Sequence, residues 1–144
     1  MTRRVVAQGT FDLLHPGHLH YLRAAAALGD ELHVIIARAP NIEGKPTPVL
    51  AATQRVEVID ALEMVTAAHL GDPTDVFVPI VAIDPEVIVL GHDQNHDVDA
   101  LSAALDARGI GAEVVRVGPR TPTDDELLSS GQIIDRILET RSIH

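Results

Sequence analysis

Two histidines separated by proline and glycine, His15-Pro16-Gly17-His18, are the chain's most chemically loaded residues. They follow Gly9-Thr10-Phe11-Asp12-Leu13-Leu14, which itself follows the apolar run Val5-Val6-Ala7. A three-residue spacing places both imidazoles on one side of a first helical turn, with Cβ atoms about 5–6 Å apart. Pro16 suits that turn because its missing N–H has no helical partner to lose. Gly17 leaves space for a ligand to approach the backbone. The unpaired N–H groups of a helix start and the positive end of its dipole attract anions. Strand-end glycine, Thr10, both histidines and the Pro-Gly pair all converge there, which favours a phosphate-binding cradle over two histidines merely near a cap.

Such a cradle needs a strand feeding a helix, and the flanking pattern supplies it. Leu19, Leu22, Ala25 and Ala26 recur at helical spacing over 17–28. Gly29-Asp30 ends the helix, and the run 32–37 reads as a buried strand of a parallel sheet. A proline-rich loop occupies 38–50, with its length suited to covering a ligand. Helix resumes near Thr53, a weak strand follows at 65–68, and a helical stretch at 75–83 should be limited by Pro79. Val87 to Leu90 is a clear strand ending at Gly91. Helix over 100–108, strand over 113–117 and a closing helix over 130–140, with Ile133, Ile134, Ile137 and Leu138 inward, complete the chain. The alternation predicts an α/β, doubly wound, Rossmann-like parallel sheet of about five strands in a single domain spanning 1–144. Ligands bind such sheets beyond the carboxyl ends of the strands, where 9–18, 38–48 and 91–97 should lie.

Composition narrows the partners. The 144 residues carry a net charge of -10, with ten arginines and a single lysine, Lys45. That balance disfavours nucleic acid and anionic membranes. It fits a high-salt-adapted surface or an ordinary acidic protein equally. No apolar run approaches the ~18–20 residues of a membrane span, and the basic start Arg3-Arg4 is cut short at Gln8 and Gly9, so the expectation is a cytoplasmic protein with no export signal. Absence of cysteine excludes disulfides and thiolate chemistry. With Phe11, Tyr21 and Phe77 the only aromatics, a flat ligand ring must rest mostly on aliphatic groups and backbone.

The segment from Gly9 to His18 resembles the H-x-G-H nucleotidyltransferase superfamily, which includes cytidylyltransferases and pantetheine-phosphate and nicotinate adenylyltransferases. Tyr21-Leu22-Arg23 and Gly29-Asp30-Glu31-Leu32 look like its small cytidylyltransferase-like branch. Gly91-His92-Asp93-Gln94 and Leu128-Ser129-Ser130 leading to Ile133-Ile134 look like the archaeal-type FAD synthases, a family of FMN adenylyltransferases. The resemblance extends over essentially the whole chain. It implies ATP and FMN as substrates, FAD and pyrophosphate as products, and a homodimer. Attack by an ionised phosphate oxygen on the α-phosphorus needs charge stabilisation and no covalent nucleophile. The resemblance assigns that stabilisation to His15, His18 and Lys45, although a solvated loop lysine is the competing reading. It gives nucleotide contacts to Gly9, the Thr10 and Phe11 backbone, Pro16, Gly17, Asp93, Arg120, Ser129 and Ser130. Arg38 and Arg55 are weaker phosphate candidates, and Asp12 should orient its loop instead of acting as a base. Mg²⁺ or another divalent cation would bridge the triphosphate oxygens without a protein cage.

His92 and His96 have i, i+4 spacing but follow a strand, so no metal site is assigned to them. His20, His33, His69 and His144 carry no motif. Two rival functions remain. One is a cytidylyltransferase acting on a polyol phosphate such as glycerol 3-phosphate, weakened because Asp93-Gln94 stands where those enzymes tend to carry Asp-Trp. The other is a regulatory protein that holds ATP without turnover.

Overall fold

The computed structural model describes residues 2–38, 47–91, 97–121, 123 and 126–141. Strands β1 (Arg4–Gly9), β2 (Glu31–Ile36), β3 (Ala67–Leu70), β4 (Val87–Leu90) and β5 (Glu113–Arg116) alternate with helices α1 (Pro16–Ala26), α2 (Ala52–Asp60), α3 (Phe77–Ile83), α4 (Val98–Asp106) and α5 (Ser130–Arg141). The strands form one sheet of order β3-β2-β1-β4-β5. Every pairing is parallel, with Val5 opposite both Leu32 and Val87. The five-stranded, doubly wound sheet is the architecture the alternation implies.

Because side chains alternate along a strand, each central strand feeds two cores. Val5, Ala7, Leu32, Val34, Val87 and Val89 join Leu22, Ala25 and Ile59 on the side of α1 and α2. Val6, Ile35 and Ile88 join Ile80, Ile83 and Leu105 on the side of α3 and α4. All four residues of β4 are buried, and each contributes about 1.5–3 kcal/mol of apolar burial. The chain order reverses between β1 and β4, so the sheet's crevice opens beyond their carboxyl ends.

Three local expectations are corrected. Strand β3 starts at Ala67 rather than at residue 65, because Val65 closes a turn onto Leu62 and the Thr66 hydroxyl accepts from the Leu32 N–H at 2.9 Å. Pro79 does not limit α3: it occupies the third helical position, where an N–H has no partner, and the helix runs on to Ile83 before Asp84 turns left-handed at φ 53°. Of the apolar stripe of α5 only Ile133 and Ile134 are partly buried, whereas Ile137 and Leu138 are 49% and 63% exposed. Helical spacing located that apolar stripe but did not show how far along the helix its neighbours reach.

Candidate active site

The turn from β1 into α1 is built around one strained residue. Phe11 adopts φ 51°, a left-handed conformation costing a bulky side chain roughly 1–3 kcal/mol. That turn swings its ring back under the loop, where it is only 4% exposed. A Cβ at Gly9 would lie 2.7 Å from the Phe11 ring, so the strand-end glycine exists to admit it.

Beyond the turn, His15 caps α1. Its Nδ1 accepts the Gly17 N–H at 3.1 Å, and the His18 Nδ1 accepts the His15 N–H at a longer 3.4 Å. The two imidazoles thus perform the reciprocal capping that a serine and a glutamate usually perform. They stack with ring centroids 3.7 Å apart and planes inclined by 24°. An Nδ1 that accepts a hydrogen bond carries no proton, so both rings hold theirs on Nε2. Each ring thus carries an Nε2–H at a helix N-terminus. Gly17 also makes room for this pair: a Cβ there would stand 2.9 Å from His15 Cε1.

The rings line a cleft of about 460 Å³ at the sheet's crevice. Gly9, Thr10, Phe11, Gly17, Arg120, Ser129 and Ser130 share it, and α5 contributes its amino end through Gly131. Two helix N-termini therefore face one space, which favours an anion even in an acidic protein. Pro16 sits at the first position of α1 and does not line the cleft. Lys45 and Asp93 lie outside the described residues, as do His92 and His96.

Some polar groups are already committed. The Ser129 hydroxyl accepts the Gln132 N–H at 3.0 Å, and the Ser130 hydroxyl accepts the Leu13 N–H at 3.3 Å, tying α5 to the histidine loop. Arg120 grips Glu126 with both Nε and an Nη, the latter at 2.6 Å. The guanidinium holds the Glu126 carboxyl down to about 2. Arg120 thus reaches the cleft as half of an ion pair. Arg38 donates to the Gly71 carbonyl.

Arg55 departs furthest from its expected role. It is 1% exposed and donates to the carbonyls of Leu50, Thr10 and Ala37 at 3.0, 2.8 and 2.8 Å. Burial lowers its pKa while nearby Asp12 opposes the shift. The Asp12 carboxylate accepts from the N–H groups of Val49 and Leu50 at 2.7 and 2.9 Å. Asp12 orients a loop as expected, and Arg55 is a strut under the cleft, not a phosphate contact. No sequence signal separates a buried arginine from an exposed one on an amphipathic helix.

Sequence reasoning missed Tyr21, Gln8 and His20, all of which line the cleft. Tyr21 donates its hydroxyl to the Val89 carbonyl at 2.7 Å and accepts the Gln8 N–H at 3.3 Å. His20 Nε2 lies 3.1 Å from the Gly118 carbonyl. Its position two residues past His18 was the available clue. His33 and His69 belong elsewhere, 3.0 Å apart on neighbouring strands with Glu31 at 2.9 Å. Among the described residues no three His, Cys, Asp or Glu side chains gather as a metal cage. No helix among them is long and apolar enough to cross a membrane.

A parallel sheet with an imidazole pair at the first helix start is the build of a nucleotidyltransferase. The chain belongs to the cytidylyltransferase-like family, which it matches over residues 6–136. It is 64% identical over 140 residues to the FAD synthase of Haloferax volcanii, covering 96% of this chain and 99% of that one. The FAD synthase of Halomicrobium mukohataei is 56% identical over 142 residues, covering 99% of each. Among solved structures, the lipopolysaccharide core biosynthesis protein of Thermoplasma volcanium superposes with a TM-score of 0.81 at 36% identity, over 84% of this chain and all of that one.

Proposed function

We propose that this chain transfers the AMP moiety of ATP to FMN, releasing pyrophosphate and forming FAD. The observation that carries the reading is the stacked His15–His18 pair, which lines a cleft at the sheet's crevice. The relatives named FAD synthase align with nearly the full chain, and that favours FMN over a polyol phosphate as acceptor.

The chemistry asks little proton transfer of the protein. A terminal oxygen of the FMN phosphate attacks the α-phosphorus of ATP and forms the new P–O bond. The bond to the bridging oxygen toward the β-phosphorus breaks, and pyrophosphate leaves with the electron pair. Negative charge grows on the oxygens around phosphorus, where fixed N–H donors act most strongly. His15 and His18 supply two such donors, held in place by their own capping bonds. The positive ends of the α1 and α5 dipoles add to this field without reorganisation.

A divalent cation would accompany ATP. Among the described residues Asp12 is the one carboxylate lining the cleft, and both its oxygens take backbone N–H groups. That donor set fits a cation held by triphosphate oxygens, which would neutralise the leaving pyrophosphate. In this reading Lys45 and Asp93 complete the phosphate and nucleotide contacts.

The test is a mixture of protein, Mg²⁺ and FMN or glycerol 3-phosphate with ATP or CTP, with pyrophosphate measured and products separated by chromatography. FAD from FMN and ATP alone is expected. CDP-glycerol would establish the polyol-phosphate enzyme, and tight ATP binding without product would establish a regulatory protein. His18→Ala should keep the fold and lose turnover on the order of 10²-fold or more.

A further inference from the structure

We propose that Phe11 and Tyr21 are positioning residues for His18, forming an aromatic backstop that aims its imidazole into the cleft. The inference rests on the adenylyl-transfer reading of that cleft.

Two of the chain's three aromatic residues stand in one row behind the histidines. Tyr21 and Phe11 are near-parallel at 17° with centroids 6.3 Å apart. Phe11 meets the His18 ring at 5.1 Å and 59°, a tilted contact of the kind aromatic pairs prefer. His18 then stacks on His15. The far end of the row is fixed, because the Tyr21 hydroxyl bonds β4 at Val89 and β1 at Gln8. Rigid strands thereby hold Tyr21, Tyr21 holds Phe11, and Phe11 closes the space behind His18.

The local sequence accepts a penalty for this arrangement. Phe11 is held left-handed, and Gly9 gives up its side chain to admit the ring. A backbone contact to nucleotide would need neither. The His15 N–H to His18 Nδ1 bond is long at 3.4 Å, so capping alone holds that ring loosely. The Phe11 ring, packed on the side of His18, supplies a further constraint.

Phe11→Leu keeps the left-handed penalty of a side-chain-bearing residue and removes the ring. It should lower kcat for FAD formation roughly tenfold to a hundredfold, as a misplaced donor does, with KM for ATP little changed. The same substitution in a His18→Ala background should cost almost nothing more, since a residue that acts through His18 has nothing left to aim. Equal losses in both backgrounds, or a loss confined to KM, would overturn the proposal. Imidazole ¹⁵N and Cε1–H resonances of the full chain give a readout independent of turnover: those of His18 should move in Phe11→Leu, and unmoved signals refute the backstop. If Phe11→Leu does not fold, Tyr21→Leu carries the same expectations. A wild-type protein that makes no FAD, or a His18→Ala variant with full turnover, would defeat the parent reading instead, while the resonances would still decide the packing claim.

Discussion

Replacing Gly17 by alanine should separate stability from catalysis. Gly17 is the second residue of α1, and an added Cβ would stand 2.9 Å from His15 Cε1 and 3.0 Å from its Nδ1. The imidazole is the end of a flexible side chain, so it will swing away rather than force the backbone apart. Two thermodynamic effects then oppose each other. Losing the His15 cap costs about 1 kcal/mol, and alanine gains up to about 1 kcal/mol over glycine within a helix. Melting temperature measured by calorimetry should therefore change by no more than about 3 °C. Turnover should fall on the order of 10²- to 10³-fold, the loss expected when one fixed donor leaves a developing oxyanion. Chromatographic measurement of FAD formed from FMN and ATP reads that loss directly. Combining Gly17→Ala with His15→Ala should cost no more than either change alone, because both remove the same ring. A Gly17→Ala enzyme with normal turnover would refute the assignment of that glycine to the histidine pair. A loss that multiplies in the double variant would do so as well.

Other perturbations test the supports. Arg55→Met should destabilise the fold by about 3–5 kcal/mol in chemical denaturation, since the buried guanidinium is lost and three partly buried carbonyls lose their donor. A shift near zero would show that water replaces the guanidinium. Asp12→Asn should weaken the hold on Val49 and Leu50, and with it stability, by about 1–2 kcal/mol, because one amide end faces a donor instead of accepting from it. His69 gives a pH test. Burial and neighbouring His33 lower its pKa below the ordinary 6.5, while Asp60 opposes them. Its stability contribution is therefore present above 6.5 and lost as pH falls below it, when the unfolded chain takes up the proton first. The groups facing this pair include Glu31, itself lowered chiefly by its bond to His33, and Arg4 beside Glu31. His69→Gln should flatten the fall in melting temperature between neutral pH and about pH 5, where imidazole charging matters. Parallel curves for the two proteins would rule His69 out.

The strands, their parallel arrangement and the histidine cradle were legible because each leaves a local pattern. Val87 to Leu90 is apolar without interruption, as a strand covered on both faces must be. His15 and His18 sit three apart at a helix start, so their partnership is fixed by helix geometry. Arg55, by contrast, reads like any arginine on an amphipathic helix. Its burial depends on carbonyls donated by three separate segments, a tertiary fact with no local trace. Gly17 was legible only in part. A glycine announces that space is needed and says nothing of what lies beside it, here a neighbouring imidazole as well as the cleft. Tyr21 falls on the expected helix, but nothing in the periodicity reveals that its hydroxyl bridges β1 and β4.

Arg55 has a bearing on how the cradle comes into being. The histidine motif is complete within ten residues of chain, yet its floor is moored at positions 10, 37 and 50 by a side chain that arrives only with α2. A fragment ending ahead of that helix would carry every letter of the motif and none of its anchorage. The imidazole pair is local as a signature and communal as a machine, acquiring its working shape only after distant stretches of polypeptide have met.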